Sequence, residues 1–268
     1  MTPLVAILLG VVEGLTEYLP VSSTGHLVLV GHALGEAGET AKSFEIVIQL
    51  GAILAVLVHY RSLLRTHARG LLAGAASSRA LAAALMAGFL PTAALGLALR
   101  RTIKALLFGP LPVAAALVVG GVVMIATERV RARRGTTGLD GLEHVTPRRG
   151  LLIGLGQCAS LWPGTSRSMC TIVAGQLAGL STGTAAEFSF LLALPTLGAA
   201  TLYELGRARH ALLDGAGGAA LALGMGTSFL VAWGVIAGFL RYLRHHGLEP
   251  FGWYRIVLGA VVLWVLAR

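Results

Sequence analysis

An apolar segment near the N-terminus is interrupted by the sequence Glu13-Gly-Leu-Thr-Glu17-Tyr-Leu-Pro20-Val-Ser22-Ser23-Thr24-Gly25-His26. Glu13 and Glu17 are four residues apart, so on a helix they share one face. Two carboxylates in an apolar segment repel each other and are costly to desolvate, so we expect them to be functional. Their pairing favours either ligation of a divalent cation or general-base chemistry.

The same stretch carries hydroxyl groups and an imidazole beside the carboxylates. Ser22, Ser23 and Thr24 lie at a turn flanked by Pro and Gly, where Ser and Thr are also favoured simply as helix caps. Capping alone does not account for His26, two residues further on. A hydroxyl beside a base is a typical activated nucleophile. We therefore predict Ser23 as the nucleophile, with His26 or Glu17 accepting its proton, and His26 itself as the second candidate.

The chain as a whole has the composition of a membrane protein. Its 268 residues are 56% hydrophobic and 12% charged, with a mean hydropathy of +0.79, whereas soluble domains carry about a quarter charged residues. Several charge-poor runs approach the roughly 20 apolar residues that cross a bilayer core. The net charge of +9 does not indicate a nucleic-acid partner, because Lys and Arg accumulate in loops that face anionic lipid headgroups. We predict an all-α polytopic integral membrane protein surrounded by membrane lipids, with no nucleic-acid partner.

Matching residues at one offset indicate an internal duplication within a single membrane domain. The matching pairs, each 144 residues apart, are Gly10 and Gly154, Glu13 and Gln157, Phe44 and Phe188, and Leu50 and Leu194. After a one-residue gap, Pro20-Val-Ser-Ser aligns with Pro163-Gly-Thr-Ser. The prediction is a first repeat over residues 1–127, a polar loop over 128–149 and a second repeat over 150–268.

Each half begins with an apolar segment broken by Pro, Ser, Thr and Gly, over residues 4–35 and 150–182. Irregular backbone is tolerated at membrane depth only where it is buried in protein or lines a polar cavity. We therefore predict two re-entrant helix–loop–helix elements, each followed by three spanning helices, six in all. Because three is odd, the second element enters from the opposite face, which gives an inverted-topology repeat whose broken segments meet.

The second half carries an anion-binding pattern in Pro163-Gly-Thr165-Ser166-Arg167-Ser168-Met-Cys-Thr171. The forked donors of a guanidinium match phosphate oxygens, and a helix N-terminus adds free N–H groups and a favourable dipole. A side chain reaching to the interface is the alternative, but the neighbours of Arg167 are apolar. We predict Arg167 as a catalytic phosphate ligand. The predicted substrate-binding residues are Ser22, Thr24, Gly25, Thr165, Ser166, Ser168 and Thr171.

At these two motifs the sequence closely resembles the BacA/UppP family of undecaprenyl-diphosphate phosphatases. The first motif matches the family's signature almost throughout, and Pro163-Gly-Thr-Ser-Arg-Ser matches the second. The stretch from Phe188 to Pro195 is similar to the family as well, whereas Met169-Cys170 departs from an expected Gly and small residue. The resemblance covers essentially the whole chain. It implies hydrolysis of undecaprenyl diphosphate to undecaprenyl phosphate and inorganic phosphate, which recycles a carrier lipid of cell-wall synthesis, and an association with bacitracin resistance.

The resemblance also implies a cofactor, a partner and a location. Glu13 and Glu17 match the family's essential acids, and its use of a divalent cation, expected here as Mg²⁺ or Ca²⁺, fits a metal site on this pair. The expected partner is a polyprenyl diphosphate lipid. The expected location is the bacterial cytoplasmic (inner) membrane, with an active site open to the outer face. The sequence leaves open whether the protein is a monomer or a homodimer.

Two alternative functions stay open at this point. Another class of membrane phosphatases carries a Ser-Arg element that Ser166-Arg167 resembles, but that class places a second His after it. Here no His follows Arg167 until His210. An inverted repeat also suits a transporter or flippase for a phosphorylated lipid or anion. The paired acids and the hydroxyl–histidine cluster exceed what anion binding requires, which favours the enzyme.

Overall fold

The computed structural model describes residues 1–36, 38–107, 109–215 and 217–266. Within these ranges the chain is helical and no β-strand is found, so the predicted all-α class is confirmed. The helices are α1 (Pro3–Thr16), α2 (Ser23–Ala33), α3 (Glu39–His59), α4 (Arg61–Leu72), α5 (Ala76–Leu106), α6 (Pro110–Arg133), α7 (Pro147–Gln157), α8 (Arg167–Leu177), α9 (Thr182–Gly215), α10 (Gly218–Leu243) and α11 (Glu249–Leu266).

Five helices in the described ranges are long and apolar enough to cross a membrane, so the chain is a polytopic membrane protein. These spans are Thr40–His59, Ala76–Ile103, Pro110–Arg133, Thr182–Arg207 and Gly218–Leu243. The sixth predicted span corresponds to α11, which has 18 residues. At about 1.5 Å per residue this helix is roughly 27 Å long, slightly less than a hydrocarbon core of about 30 Å. The number of six spans therefore stays a prediction.

Each of the two predicted broken segments is a pair of short helices, and the first helix of each pair starts with the same capping pattern. The side chains of Thr2 and Thr146, 144 residues apart (146 minus 2), each cap a helix that has Pro at its first position. Helix α1 has 14 residues, and α2, α7 and α8 have 11 each. At about 1.5 Å per residue none of them crosses a core of about 30 Å alone. Because α1 packs against α2 and α7 against α8, each segment is a helix–loop–helix hairpin.

The second hairpin begins and ends on the same face of the molecule. A cavity of about 1130 Å³ on that face is lined by the C-terminal ends of α3, α6 and α10 and by the start of α9. Arg131, near the end of α6, donates to the carbonyl oxygen of Gln176 at 2.7 Å, which places the end of α8 there. Arg149, near the start of α7, donates to the carbonyl oxygen of Ala178 at 3.1 Å. Both ends of this hairpin therefore lie on the cavity face.

The first hairpin begins and ends on the other face. A Cβ added at Gly10 would lie 2.5 Å from the carbonyl oxygen of Gly224, and one at Gly14 would lie 2.7 Å from that of Ser228. Helix α1 therefore runs parallel to α10. Since α10 ends on the cavity face, both helices start on the opposite face. Gly31, near the end of α2, faces a carboxylate oxygen of Glu45 in the first turns of α3. The two hairpins open on opposite faces, which is the arrangement that an inverted repeat requires.

The hairpins also pack on the opposite halves of the chain. Helix α1 of the first repeat packs along α10 of the second, and α7 of the second packs along α5 of the first. Helix α3 packs on α9, its equivalent in the second repeat, and α6 packs on its equivalent α11. Neither half therefore contains the main partner of its own hairpin.

Two connecting regions differ from the prediction. The polar connection covers residues 134–146 rather than 128–149, because α6 continues to Arg133 and Thr146-Pro147 starts a new helix. It contains a short 3₁₀ turn at Leu142–His144. The basic run after α3 was predicted as a loop but forms α4, since Leu63 and Leu64 pack against the core while the arginines stay exposed.

Candidate active site

Two serines with strained backbone conformations precede the second helix of each hairpin, α2 and α8. Ser22 and Ser166 have φ values of 76° and 74°, the only positive values of non-glycine residues in the described ranges. Each is the N-cap of its helix, and each Oγ accepts a bond of 3.3 Å from a backbone N–H, that of Gly25 or Met169. Such strain is often retained at functional sites. Their hydroxyls thus serve as caps.

The equivalence of these serines corrects the predicted repeat alignment. Ser22 and Ser166 are 144 residues apart (166 minus 22), the same offset as the other matching pairs, so the two helix starts align without a gap. Ser23 then corresponds to Arg167 rather than to Ser166. Both residues occupy the first helical position after the cap, in α2 and α8 respectively.

These two equivalent residues meet on one carboxylate, that of Glu17. The Ser23 hydroxyl donates to Oε2 of Glu17 at 2.6 Å, and Nη2 of Arg167 donates to Oε1 at 2.8 Å. The side chains of Arg167 and Glu17 are 8% and 5% exposed, so the ion pair is nearly dry. Charge-assisted bonds of this kind are short and strong. The structure thus brings together three of the four predicted catalytic residues, Glu17, Ser23 and Arg167.

Arg167 is held from a further side by a residue that the sequence analysis did not select. Its Nη1 donates to the carbonyl oxygen of Ser189 at 3.0 Å and to the Ser189 Oγ at 3.2 Å. The Oγ atoms of Ser189 and Thr171 lie 2.6 Å apart, and the ring of Tyr18 lies 5.7 Å below the guanidinium. The Arg167 Nε is buried and has no hydrogen-bond partner in the part of the chain that the structure describes. One donor of the predicted phosphate ligand is therefore uncommitted.

His26, the fourth predicted catalytic residue, faces away from this cluster. Its Nδ1 lies 2.7 Å from the carbonyl oxygen of Ser22, and its Nε2 lies 2.6 Å from the Oη of Tyr254. The rings of His26 and Tyr254 are nearly parallel, with their centroids 5.7 Å apart. Of the two proton acceptors predicted for Ser23, His26 is therefore not the one that it contacts. The Ser23 hydroxyl donates to Glu17 instead, because the imidazole bends back onto its own helix start.

Glu13 is the buried carboxylate that lacks partners. The residue is fully buried, and among the described residues neither of its carboxylate oxygens has a hydrogen-bond partner. A buried charge without a partner is costly, so this carboxylate fits a cation. No group of three or more His, Cys, Asp or Glu side chains suited to a metal occurs in the described ranges. Mg²⁺ is usually bound by one or two carboxylates together with substrate phosphates, so Glu13, with or without Glu17, is a sufficient donor set.

The remaining predicted substrate-binding residues mostly support the two turns. The Ser168 hydroxyl donates to the carbonyl oxygen of Leu19 at 2.9 Å, which joins the two hairpins directly. The Thr165 hydroxyl donates to the carbonyl oxygen of Trp162 within its own turn. Gly25 offers its N–H to the cap of α2, and Thr24 is half-buried beside it. These residues shape the site around the Glu17 cluster.

Arg255 on α11 is a second residue that the sequence analysis missed. It is fully buried, and its guanidinium donates to four backbone carbonyl oxygens. Two of these belong to the hairpin turns, at Pro20 (3.1 Å) and Gly164 (3.0 Å), and two to α6, at Ala116 and Leu117. The signal was available, because an arginine inside an apolar segment is itself unusual. Arg255 fastens the two turns to each other.

Comparisons with known proteins agree with one another. The sequence model of the family described as bacitracin resistance protein BacA matches residues 6–261. An undecaprenyl-diphosphatase of Sorangium cellulosum is 60% identical over 261 residues, 97% of this chain and 85% of that protein. Similar proteins with the same name are 45% identical in Thermoanaerobacter pseudethanolicus (98% of this chain, 96% of the relative) and 46% identical in Aromatoleum aromaticum (97% and 93%).

Proposed function

The chain belongs to the bacitracin resistance protein BacA family, and we propose that it hydrolyses undecaprenyl diphosphate to undecaprenyl phosphate and inorganic phosphate. The observation that carries this proposal is the convergence of Ser23 and Arg167, from opposite halves of the chain, on the buried carboxylate of Glu17. A hydroxyl, a base and a phosphate ligand in mutual contact are the parts that phosphoryl transfer uses. The names of the three relatives point to this enzyme and give no support to transport.

Arg167 and the two helix starts bind the diphosphate in this proposal. The unpaired Nε of Arg167 is a donor for a phosphate oxygen. The first turns of α2 and α8 add backbone N–H groups and the positive ends of two helix dipoles. Charge that builds up on the transferring phosphoryl group would meet groups that are already in place.

Ser23 attacks the terminal phosphorus, and Glu17 accepts the hydroxyl proton across the 2.6 Å bond. A bond forms between the Ser23 Oγ and this phosphorus, and the bond from the phosphorus to the bridging oxygen breaks. Undecaprenyl phosphate leaves with the bridging oxygen. Water then attacks the phosphorus of the phosphoserine, the bond from this phosphorus to the Ser23 Oγ breaks, and Glu17 returns its proton to the Ser23 Oγ. Inorganic phosphate leaves with the oxygen and both hydrogens of the water. His26 remains the second candidate nucleophile, and its Nε2 would have to exchange the Tyr254 Oη, 2.6 Å away, for the phosphorus.

A divalent cation, Mg²⁺ or Ca²⁺, would be held by Glu13 together with Glu17. It would neutralise charge on the diphosphate oxygens and so assist the departure of undecaprenyl phosphate. The support for this role is the pair of partnerless, buried oxygens on Glu13.

The proposed location is the bacterial cytoplasmic (inner) membrane, with the site reached from the outer face. The five apolar helices and the family membership support a multi-pass protein of this kind. On this basis the hairpin that carries Glu17 opens to the outer face and the cavity of about 1130 Å³ lies on the cytoplasmic side. Cysteines introduced at the two faces, labelled in whole cells with a membrane-impermeant reagent, test this orientation.

Release of inorganic phosphate from undecaprenyl diphosphate by the detergent-purified protein tests the activity. Glu17→Gln removes the proton acceptor and is expected to lower phosphate release to background, whereas Glu249→Gln, which alters an exposed pair with Arg129, is the matched control. Chelation by EDTA is expected to abolish release and added Mg²⁺ or Ca²⁺ to restore it. A folded wild type that releases no phosphate with any divalent cation would refute the proposal.

A further inference from the structure

Tyr254 on α11 contacts the imidazole of His26 through both its hydroxyl and its ring. The Oη lies 2.6 Å from the Nε2 of His26, and the two rings are nearly parallel, with an angle of 5° between their planes. The residues are 228 positions apart in the sequence. The Nε2 of His26 thus faces Tyr254, while the Ser23 hydroxyl donates to Glu17.

The partners of the ring fix its tautomer. The Nδ1 of His26 faces the carbonyl oxygen of Ser22 at 2.7 Å, and a carbonyl oxygen only accepts, so Nδ1 carries a hydrogen. In the neutral ring Nε2 then presents a lone pair, and the Tyr254 hydroxyl donates to it. A second group that determines which ring nitrogen is protonated is a common device for directing imidazole chemistry.

The position of Tyr254 is set by its neighbour in the sequence. Arg255 is fully buried and bonds to the carbonyl oxygens of Pro20 and Gly164 in the two hairpin turns. Helix α11 is therefore held in register with the turn from which α2 and His26 start. The hydroxyl of Tyr254 meets Nε2 as a consequence of this anchoring.

The side chain of Tyr254 is also able to move away from His26. The residue is 47% exposed, so its ring can move outward without opening a cavity in the core. We propose that Tyr254 is a positioning residue for His26, one that holds the imidazole with Nδ1 protonated and covers Nε2 until substrate displaces the hydroxyl. For its catalytic consequence the inference rests on the proposed function with His26 as the nucleophile, the second candidate given above, but the hydrogen bond itself is measured without turnover.

The test compares the wild type with Tyr254→Phe, which keeps the stacked ring and removes only the hydroxyl. In protein labelled with ¹⁵N-histidine, at a pH well above the usual range of imidazole, the His26 signals are assigned from their loss in His26→Gln. The wild type is expected to show a hydrogen on Nδ1 and none on Nε2. In Tyr254→Phe the Nε2 signal is expected to shift while Nδ1 keeps its hydrogen. A hydrogen on Nε2 in the wild type, or an Nε2 signal unchanged in Tyr254→Phe, would overturn the assignment.

The kinetic arm separates positioning from stability. Tyr254→Phe is expected to lower kcat about tenfold, with KM within about twofold and an unchanged thermal midpoint. The matched control is Tyr203→Phe, because the Tyr203 hydroxyl accepts a bond of 2.8 Å from Arg100 and the residue is similarly exposed. Wild-type kcat in Tyr254→Phe would refute the positioning role. A wild type without phosphatase activity would instead refute the proposed function and leave the spectroscopic result intact.

Discussion

Replacement of Arg167 by Lys tests whether the site needs the several N–H donors of a guanidinium or only a positive charge. In the structure, Nη2 of Arg167 bonds to Glu17 at 2.8 Å while Nη1 bonds to Ser189 at 3.0 and 3.2 Å. A lysine has a single nitrogen at the end of its side chain, so it cannot reproduce both ends of this bridge. The charge is kept, and the geometry is lost.

The magnitude follows from the bonds that the lysine gives up. If the ammonium stays with Glu17, the two contacts to Ser189 are lost and the Nε donor disappears as well. A hydrogen bond that involves a charged group contributes about 1.5–3 kcal/mol. Of these, only the Nε donor bonds to substrate in the proposed mechanism, so one such bond is lost from the transition state. Since about 1.4 kcal/mol corresponds to a tenfold change in rate, we expect kcat/KM to fall by roughly ten- to a hundredfold.

The assay is phosphate release from undecaprenyl diphosphate in detergent over a range of substrate concentrations. Arg129→Lys is the matched control, because Arg129 forms an exposed ion pair with Glu249 on the surface, where such pairs contribute little. Arg129→Lys should behave as the wild type. A value of kcat/KM for Arg167→Lys within about twofold of the wild type would show that a point charge is enough and that the bridge is not part of the mechanism.

Three further substitutions test other parts of the structure. Gly154→Ala is expected to lower the thermal midpoint by the equivalent of about 1–3 kcal/mol, because its Cβ would meet the backbone of α5, whereas Gly226→Ala has open space and should not; equal midpoints in circular dichroism melts would contradict this packing. Arg255→Lys leaves some of four carbonyl oxygens unpaired, so denaturant unfolding should show a loss of about 1–3 kcal/mol together with reduced phosphate release; wild-type behaviour in both measurements would argue against a fastening role. Ser23→Ala should lose phosphate release, and an active Ser23→Ala protein with phosphate trapped on His26 would transfer the nucleophilic role to that residue.

The local chemistry of the site could be predicted from the sequence because it depends on residue types within two short motifs. Glu17, Ser23 and Arg167 are polar residues in apolar segments. Such residues are costly to bury, so they are predicted to be functional even when the fold is unknown. The hairpins were predictable for the same reason, since Pro, Gly and Ser at membrane depth require cover from other segments. The duplication predicted that the motifs would meet.

The contacts that link distant segments could not be predicted from spacing. The His26 Nε2 contacts Tyr254, 228 residues away, and the second anchor of Arg167 is Ser189, which lies in the family-like stretch from Phe188 to Pro195 but in neither of the two motifs. The gap placed in the alignment hid the equivalence of Ser23 and Arg167, because matching the prolines shifted the frame by one residue. Only the shared cap geometry of the serines restores it.

The packing of α1 on α10 has a consequence for biogenesis. Helix α1 ends at Thr16, and α10 begins at Gly218, 202 residues later (218 minus 16). At about 5–20 residues per second, a ribosome needs roughly 10–40 s to cover that distance. Throughout this interval Glu13 and the face of α1 that carries Gly10 and Gly14 lack their packing partner, because α10 has not yet been synthesised. The second hairpin has no such delay, because α5 precedes α7 in the chain. Two elements that end in equivalent environments therefore reach them by different routes, one by waiting in the nascent chain and the other by docking as it emerges.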